Sequence, residues 1–151
     1  MKRFEFVDGS EKVINGVTFK RIRALVDMPL HFVKAGDIGG YLEKTENLSE
    51  NAWVSGNAKV YGNAKVYGNA WVSGDAEVSG DNDFIVVGPA KSSGRYTTAF
   101  KDSGIGVRVV CGCFTGSTED FLKAIEDTHK DNKTYLKQYK AFHSLIVSNF
   151  E

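Results

Sequence analysis

Five side chains between positions 91 and 108 could together hold an anion: Lys91, Arg95, Thr97, Thr98 and Arg108. The first two lie in Gly88-Pro89-Ala90-Lys91-Ser92-Ser93-Gly94-Arg95. Such a loop can turn backbone N–H groups toward a phosphate or carboxylate, and an arginine adds a planar fork of donors. Arg95 is the first choice for ligand contact, with Lys91, Thr97, Thr98 and Arg108 as its neighbours. The phosphate-loop pattern GxxxxGK[ST] is not met, because the glycines stand one residue too far apart and Arg replaces Lys. The plainer reading is an exposed connector with solubilising charges.

Other chemistry finds fewer partners. Cys111 and Cys113 could form half a metal site, but tetrahedral zinc needs four ligands and no second Cys or His pair accompanies them. Placed on one face of a strand, they read better as small buried hydrophobes. His31, His129 and His143 are the only histidines, and no nucleophile stands beside any of them at a motif spacing. His129 falls near the end of an expected helix, where a cation suits the dipole. Neither a metal nor a cofactor is expected.

The elements that must position these groups begin with a repeat. Five hexads run from Asn51-Ala52-Trp53-Val54-Ser55-Gly56 to Asp75-Ala76-Glu77-Val78-Ser79-Gly80. Each carries Val at its fourth position, Ala two before it, and Gly followed by Asn or Asp at the boundary. A period of six suits neither an amphipathic helix nor a half-buried strand. It suits short strands joined by sharp corners, since Gly tolerates positive φ and Asn or Asp comes next best. Three such sides return to the same face after 18 residues, and repeats of this kind bury their apolar residues by stacking.

Val54…Ala58, Val60…Ala64, Val66…Ala70 and Val72…Ala76 resemble the hexapeptide-repeat, left-handed parallel β-helix family, in which a small residue follows an aliphatic one by four. Leu48…Ala52 extends the pattern, and Ile38-Gly39…Leu42 is a looser match. The resemblance implies a mostly β fold: a short left-handed parallel β-helix over 38–82, behind an N-terminal strand cap (1–37). A small α+β domain follows (83–151). The resemblance also implies a homotrimer. An offset of 18 places Trp53 under Trp71 on an outward face, at the strand spacing of ~4.8 Å, and such a pair suits an oligomer interface.

In the cap, strands are expected at Phe4–Val7, Val13–Ile14, Val17–Leu25 and Phe32–Val33, with Asn15-Gly16 as a hairpin turn. After Asp81 the repeat ends. Strands are expected at Phe84–Val87, Tyr96–Lys101 and Ile105–Phe114. Ser117-Thr118-Glu119-Asp120 resembles a capping box opening a helix to about His129. A second helix follows, with Tyr135, Tyr139, Phe142, Ile146 and Phe150 at helical spacing. The helices have their own apolar faces, so this part is expected to fold without the hexads. Lys34-Ala35-Gly36-Asp37-Ile38-Gly39-Gly40-Tyr41, Arg95-Tyr96-Thr97-Thr98 and Cys111-Gly112-Cys113-Phe114 resemble segments of phage and prophage hexapeptide-repeat proteins, which brings no established chemistry.

The 19 basic residues balance the 19 acidic ones, so the basic footprint of a nucleic-acid binder is missing. Lys59 and Lys65, though interleaved with Tyr61 and Tyr67, fall on different sides of the repeat and make no stripe. No apolar run approaches the ~20 residues of a membrane span. The N-terminus is polar, and two cysteines so close together are poor disulfide partners. A reducing cytoplasm, that of the host for a phage protein, is therefore expected. The resemblance points to a non-enzymatic accessory protein that binds or inhibits a host factor, with counter-defence as one such role. Its target would be a host protein or a small anionic ligand such as a signalling nucleotide. The alternatives are a hexapeptide acyltransferase, for which the repeats lack the usual histidine base, and a structural virion or assembly component.

Overall fold

The hexads supply the centre of the protein: Val54, Val60, Val66, Val72 and Val78 are all fully buried, and the alanines at 52, 58, 64, 70 and 76 lie beside them. The computed structural model describes residues 2–151. Its strands are β1 (Phe4–Phe6), β2 (Lys12–Ile14), β3 (Val17–Ala24), β4 (Ile38–Leu42), β5 (Trp53–Val54), β6 (Lys59–Val60), β7 (Trp71–Val72) and β8 (Glu77–Val78), then β9 (Phe84–Val87), β10 (Thr97–Asp102), β11 (Gly106–Cys111) and β12 (Phe114–Gly116). Helices α1 (Thr118–His129) and α2 (Lys133–Asn149) close the chain.

The sheets correct the expected left-handed parallel β-helix. The offset of 18 is present, with Trp53 opposite Trp71 and Lys59 opposite Glu77. Each of these parallel pairings is only two residues long, however. The β6–β8 pair is the margin of a six-stranded sheet ordered β1-β3-β4-β6-β8, with β2 also on β3. The pairings of β3 with β1, β2 and β4 are antiparallel. A separate two-stranded sheet holds β5 and β7, and a four-stranded antiparallel sheet runs β12-β11-β10-β9. The result is a set of mixed sheets with two helices, and among the described residues no sheet closes on itself or repeats as a solenoid. The physical reason is that a period fixes the offset between partners but not what the flanking chain adds to them. Here the N-terminal hairpin continues directly onto β4.

That hairpin turns at Asn15 and Gly16, both at positive φ (50° and 80°), the geometry a two-residue turn requires. Phe32 departs from the expected strand. Pro29–His31 forms a 3-10 turn, and Phe32 follows it in the left-handed region at φ 58°. The expected strand Ile105–Phe114 also breaks, at Gly112 (φ 56°), so β12 doubles back on β11. Cys113 consequently lies exposed in the turn, and Cys111 alone remains partly buried on the strand. This corrects the reading of both as buried hydrophobes on one face.

The four-stranded sheet is covered on both faces. Phe84, Phe100 and Val110 join the cluster built by the hexad valines, and Val86 packs against it. Ala99 and Val109 face Phe121, Ile125, Tyr139 and Ile146 of the helices. The apolar core therefore crosses the change in composition at residue 82. Hydrogen bonds cross it too, from Trp71 N to Thr98 Oγ1 (2.9 Å) and from Asp75 N to Asp102 Oδ2 (3.2 Å). Helix α1 starts as its sequence predicts. Ser117 Oγ accepts from Asp120 N at 3.1 Å, and an Asp120 carboxylate oxygen accepts from Ser117 N at 3.3 Å. No helix among the described residues is long and apolar enough to cross a membrane.

Candidate functional site

Trp71 stands where three segments meet. Its indole Nε1 donates to Ser55 Oγ at 3.0 Å, and its ring lies 5.7 Å from His31 and 5.9 Å from Phe32. Trp53, its strand partner, is only 2% exposed. Gly39 is folded so closely on it that a Cβ there would sit 2.6 Å from the Trp53 ring. This corrects the outward pair of stacked indoles placed at an oligomer interface. The N-terminal segment covers Trp53 within the same chain, and only Trp71 keeps a partly open face.

Beside Trp71 runs a groove of about 430 Å³, walled by Phe32, Trp71, Ser73, Arg108, Cys113 and Thr115. A hollow of about 20 Å³ adjoins it, sharing Trp71, Val110 and Gly112 and lined also by His31, Asn69 and Arg95. Arg95 enters from the start of β10 and passes over Gly112, where a Cβ would come within 3.2 Å of its Cδ. Its guanidinium lies 5.2 Å from the Phe32 ring centre, a cation–π geometry. Its Nη1 is buried and has no hydrogen-bond partner. Among the described residues Arg95 forms no ion pair, so its charge is not cancelled locally.

Arg108 is held differently. It shares with Val110 the face of β11 that looks toward the hexads. Its Nε donates to Asp102 Oδ2 at 2.8 Å and its Nη1 to Thr115 Oγ1 at 3.3 Å. Asp102 also accepts from Gly104 N (2.7 Å) and Ile105 N (3.2 Å). Burial alone would push the Asp102 carboxyl up, but Arg108 and these two amides hold it below the usual carboxylate range. The pair fixes the guanidinium at the end of the groove while offsetting much of its charge. Arg95 is thus the stronger attractor of anions, and Arg108 a positioned donor.

Comparison with protein-family models, curated proteins and solved structures gives no match. The site stands on its own geometry.

Of the five predicted ligand contacts, the structure brings Arg95 and Arg108 to neighbouring hollows and sends the other three elsewhere. Lys91 is exposed, and its backbone N donates to Gln138 Oε1 of α2 at 2.7 Å. Thr98 is buried and spends its hydroxyl accepting from Trp71 N. Thr97 is fully buried on the Ala99 side of β10, toward the helices. Alternation along β10 turns Thr97 and Thr98 to opposite faces, and Lys91 lies in the turn before that strand. Sequence reasoning missed Phe32, Ser73 and Thr115. Met28-Pro29 was the available signal at Phe32, because proline favours a turn over a continuing strand.

His31 explains how the 29–32 turn is seated. Its ring is buried, and Nε2 lies 2.9 Å from the Asn51 carbonyl, so that nitrogen carries the proton. Burial pushes its pKa down, the Asn51 bond opposes this, and the charge of Arg3 adds to the lowering. A neutral His31 therefore anchors the turn that presents Phe32.

Proposed function

We propose that this protein is a non-enzymatic binding protein that captures a small anionic molecule in the groove beside Trp71. The observation that carries the reading is the Arg95 guanidinium, uncompensated by any carboxylate and with a buried Nη1 that lacks an acceptor. A buried donor without a partner is costly, and an anion satisfying it gains a charge-assisted hydrogen bond. Arg95 lines the small hollow at the groove's edge, and Arg108 and Thr115 offer further donors in the groove itself. The groups gathered there suit holding a ligand: guanidinium, hydroxyl and aromatic faces. In the setting suggested by the resemblance to phage accessory proteins, capture would withdraw a host molecule from use, and counter-defence is one such outcome.

The test is capture from a host lysate. Protein purified without denaturation should release an anionic compound, detected by mass spectrometry of the extract, and Arg95→Ala protein should release none. Equal recovery from both proteins would refute the site. Sustained consumption of the captured compound would refute the non-enzymatic reading.

A further inference from the structure

Phe32 is both conformationally expensive and exposed. It adopts φ 58° and ψ 35° at the end of the Pro29–His31 turn, where glycine or asparagine would sit more easily. A bulky residue in the left-handed region is an outlier, and such outliers cluster at ligand clamps. Yet the residue is 54% exposed, so burial offsets little of that cost. What the ring does instead is stand beside the groove, 5.9 Å from Trp71 at an interplanar angle of 55° and under the Arg95 guanidinium. The groove's volume of about 430 Å³ falls within the range of small-molecule sites.

We infer that Phe32 and Trp71, packed at a tilt on each other, form an aromatic wall on which a planar heteroaromatic ring lies, its attached anion met by Arg95 and Arg108, the chemistry of a nucleoside phosphate. The inference rests on the anion-binding reading of the groove. Ring stacking on aromatic side chains tolerates any base, because each has a π-face. The guanidiniums then distinguish charged from uncharged forms, and Thr115 adds a hydroxyl within the same wall.

The experiment is calorimetric titration of the full-length protein with four probes: a nucleoside 5′-monophosphate, ribose 5-phosphate, the uncharged nucleoside and inorganic phosphate. The monophosphate should bind roughly tenfold or more tightly than ribose 5-phosphate, as stacking requires. In Phe32→Gly that advantage should vanish while the melting temperature does not fall, since glycine relieves the strain. Phe32→Leu keeps an apolar contact without the ring and should lose the same advantage, whereas Phe32→Tyr should keep it. Equal affinity for the monophosphate and ribose 5-phosphate would overturn the ring while sparing the anion site. Undiminished monophosphate binding by folded Phe32→Gly or Phe32→Leu would also overturn it. Unchanged binding of every anion by Arg95→Ala would remove the underlying reading, and failure of all four probes to bind would overturn the nucleoside phosphate assignment.

Discussion

Arg95 and Arg108 are the same residue type put to different uses, and their substitutions should separate accordingly. Arg95→Ala should cost about 1.5–3 kcal/mol of anion affinity, the value of a hydrogen bond to a charged group, with little change in melting temperature. Titration calorimetry beside a thermal melt checks both. Arg108 is tied to Asp102, whose carboxylate accepts from four donors, so Asp102→Asn should lower stability by a similar ~1.5–3 kcal/mol before any ligand is added. His31 sets a pH dependence whose sign follows from its lowered pKa. The unfolded chain takes up the proton first, so stability is full above the ordinary value of 6.5 and is lost as pH falls below it toward the folded value. Melting temperatures recorded from pH 7.5 to 5 should decline in the wild type more steeply than in His31→Gln. Parallel declines would mean that His31 does not control the transition.

At the scale of elements, the hairpin at Asn15-Gly16, the buried Val and Ala rows and the capped start of α1 were legible because each is written in local chemistry: positive-φ residues, period and side-chain acceptors. The pairing offset of 18 was legible for the same reason. What the strands would pair with was not, because β3 meets β4 through residues 20–23 and 38–42, where no repeat dictates a partner. The same limit hid the burial of Trp53: nothing in the hexads says that Gly39 will lie against its ring. That contact gives an element-level prediction. A Cβ at Gly39 would sit 2.5 Å from the Val54 carbonyl oxygen and 2.8 Å from Ile22 Cγ1, so the clash is partly with backbone. Gly39→Ala should therefore destabilise by about 1–3 kcal/mol, the usual cost of overpacking, read from denaturant melts. A neutral result would mean that β4 shifts freely on the hexads. Of the candidate site, the two arginines could be named from sequence, whereas Phe32 and Thr115 became neighbours only through the turn at Gly112.

For the whole molecule, the core shared across residue 82 decides how far the chain can be divided. A fragment of residues 83–151 would expose Phe84, Val86, Phe100 and Val110, which in the intact protein lie with the hexad valines. It should lack a cooperative melt, against the expectation that the helices suffice for it; a sharp transition at wild-type temperature would show that they do. The groove has a related property, since its walls come from residues 32, 71–74 and 108–115. If the groove binds an anion as proposed, none of these stretches would hold it separately, and a nascent chain would gain affinity only once residues 108–115 had emerged and docked. Occupancy would then act as a fastener for the whole chain. Ligand at a hundred times its Kd should add about 2.7 kcal/mol to global unfolding. Protease resistance should rise with it at loops far from the groove, which makes digestion rate a readout of occupancy requiring no label on either partner.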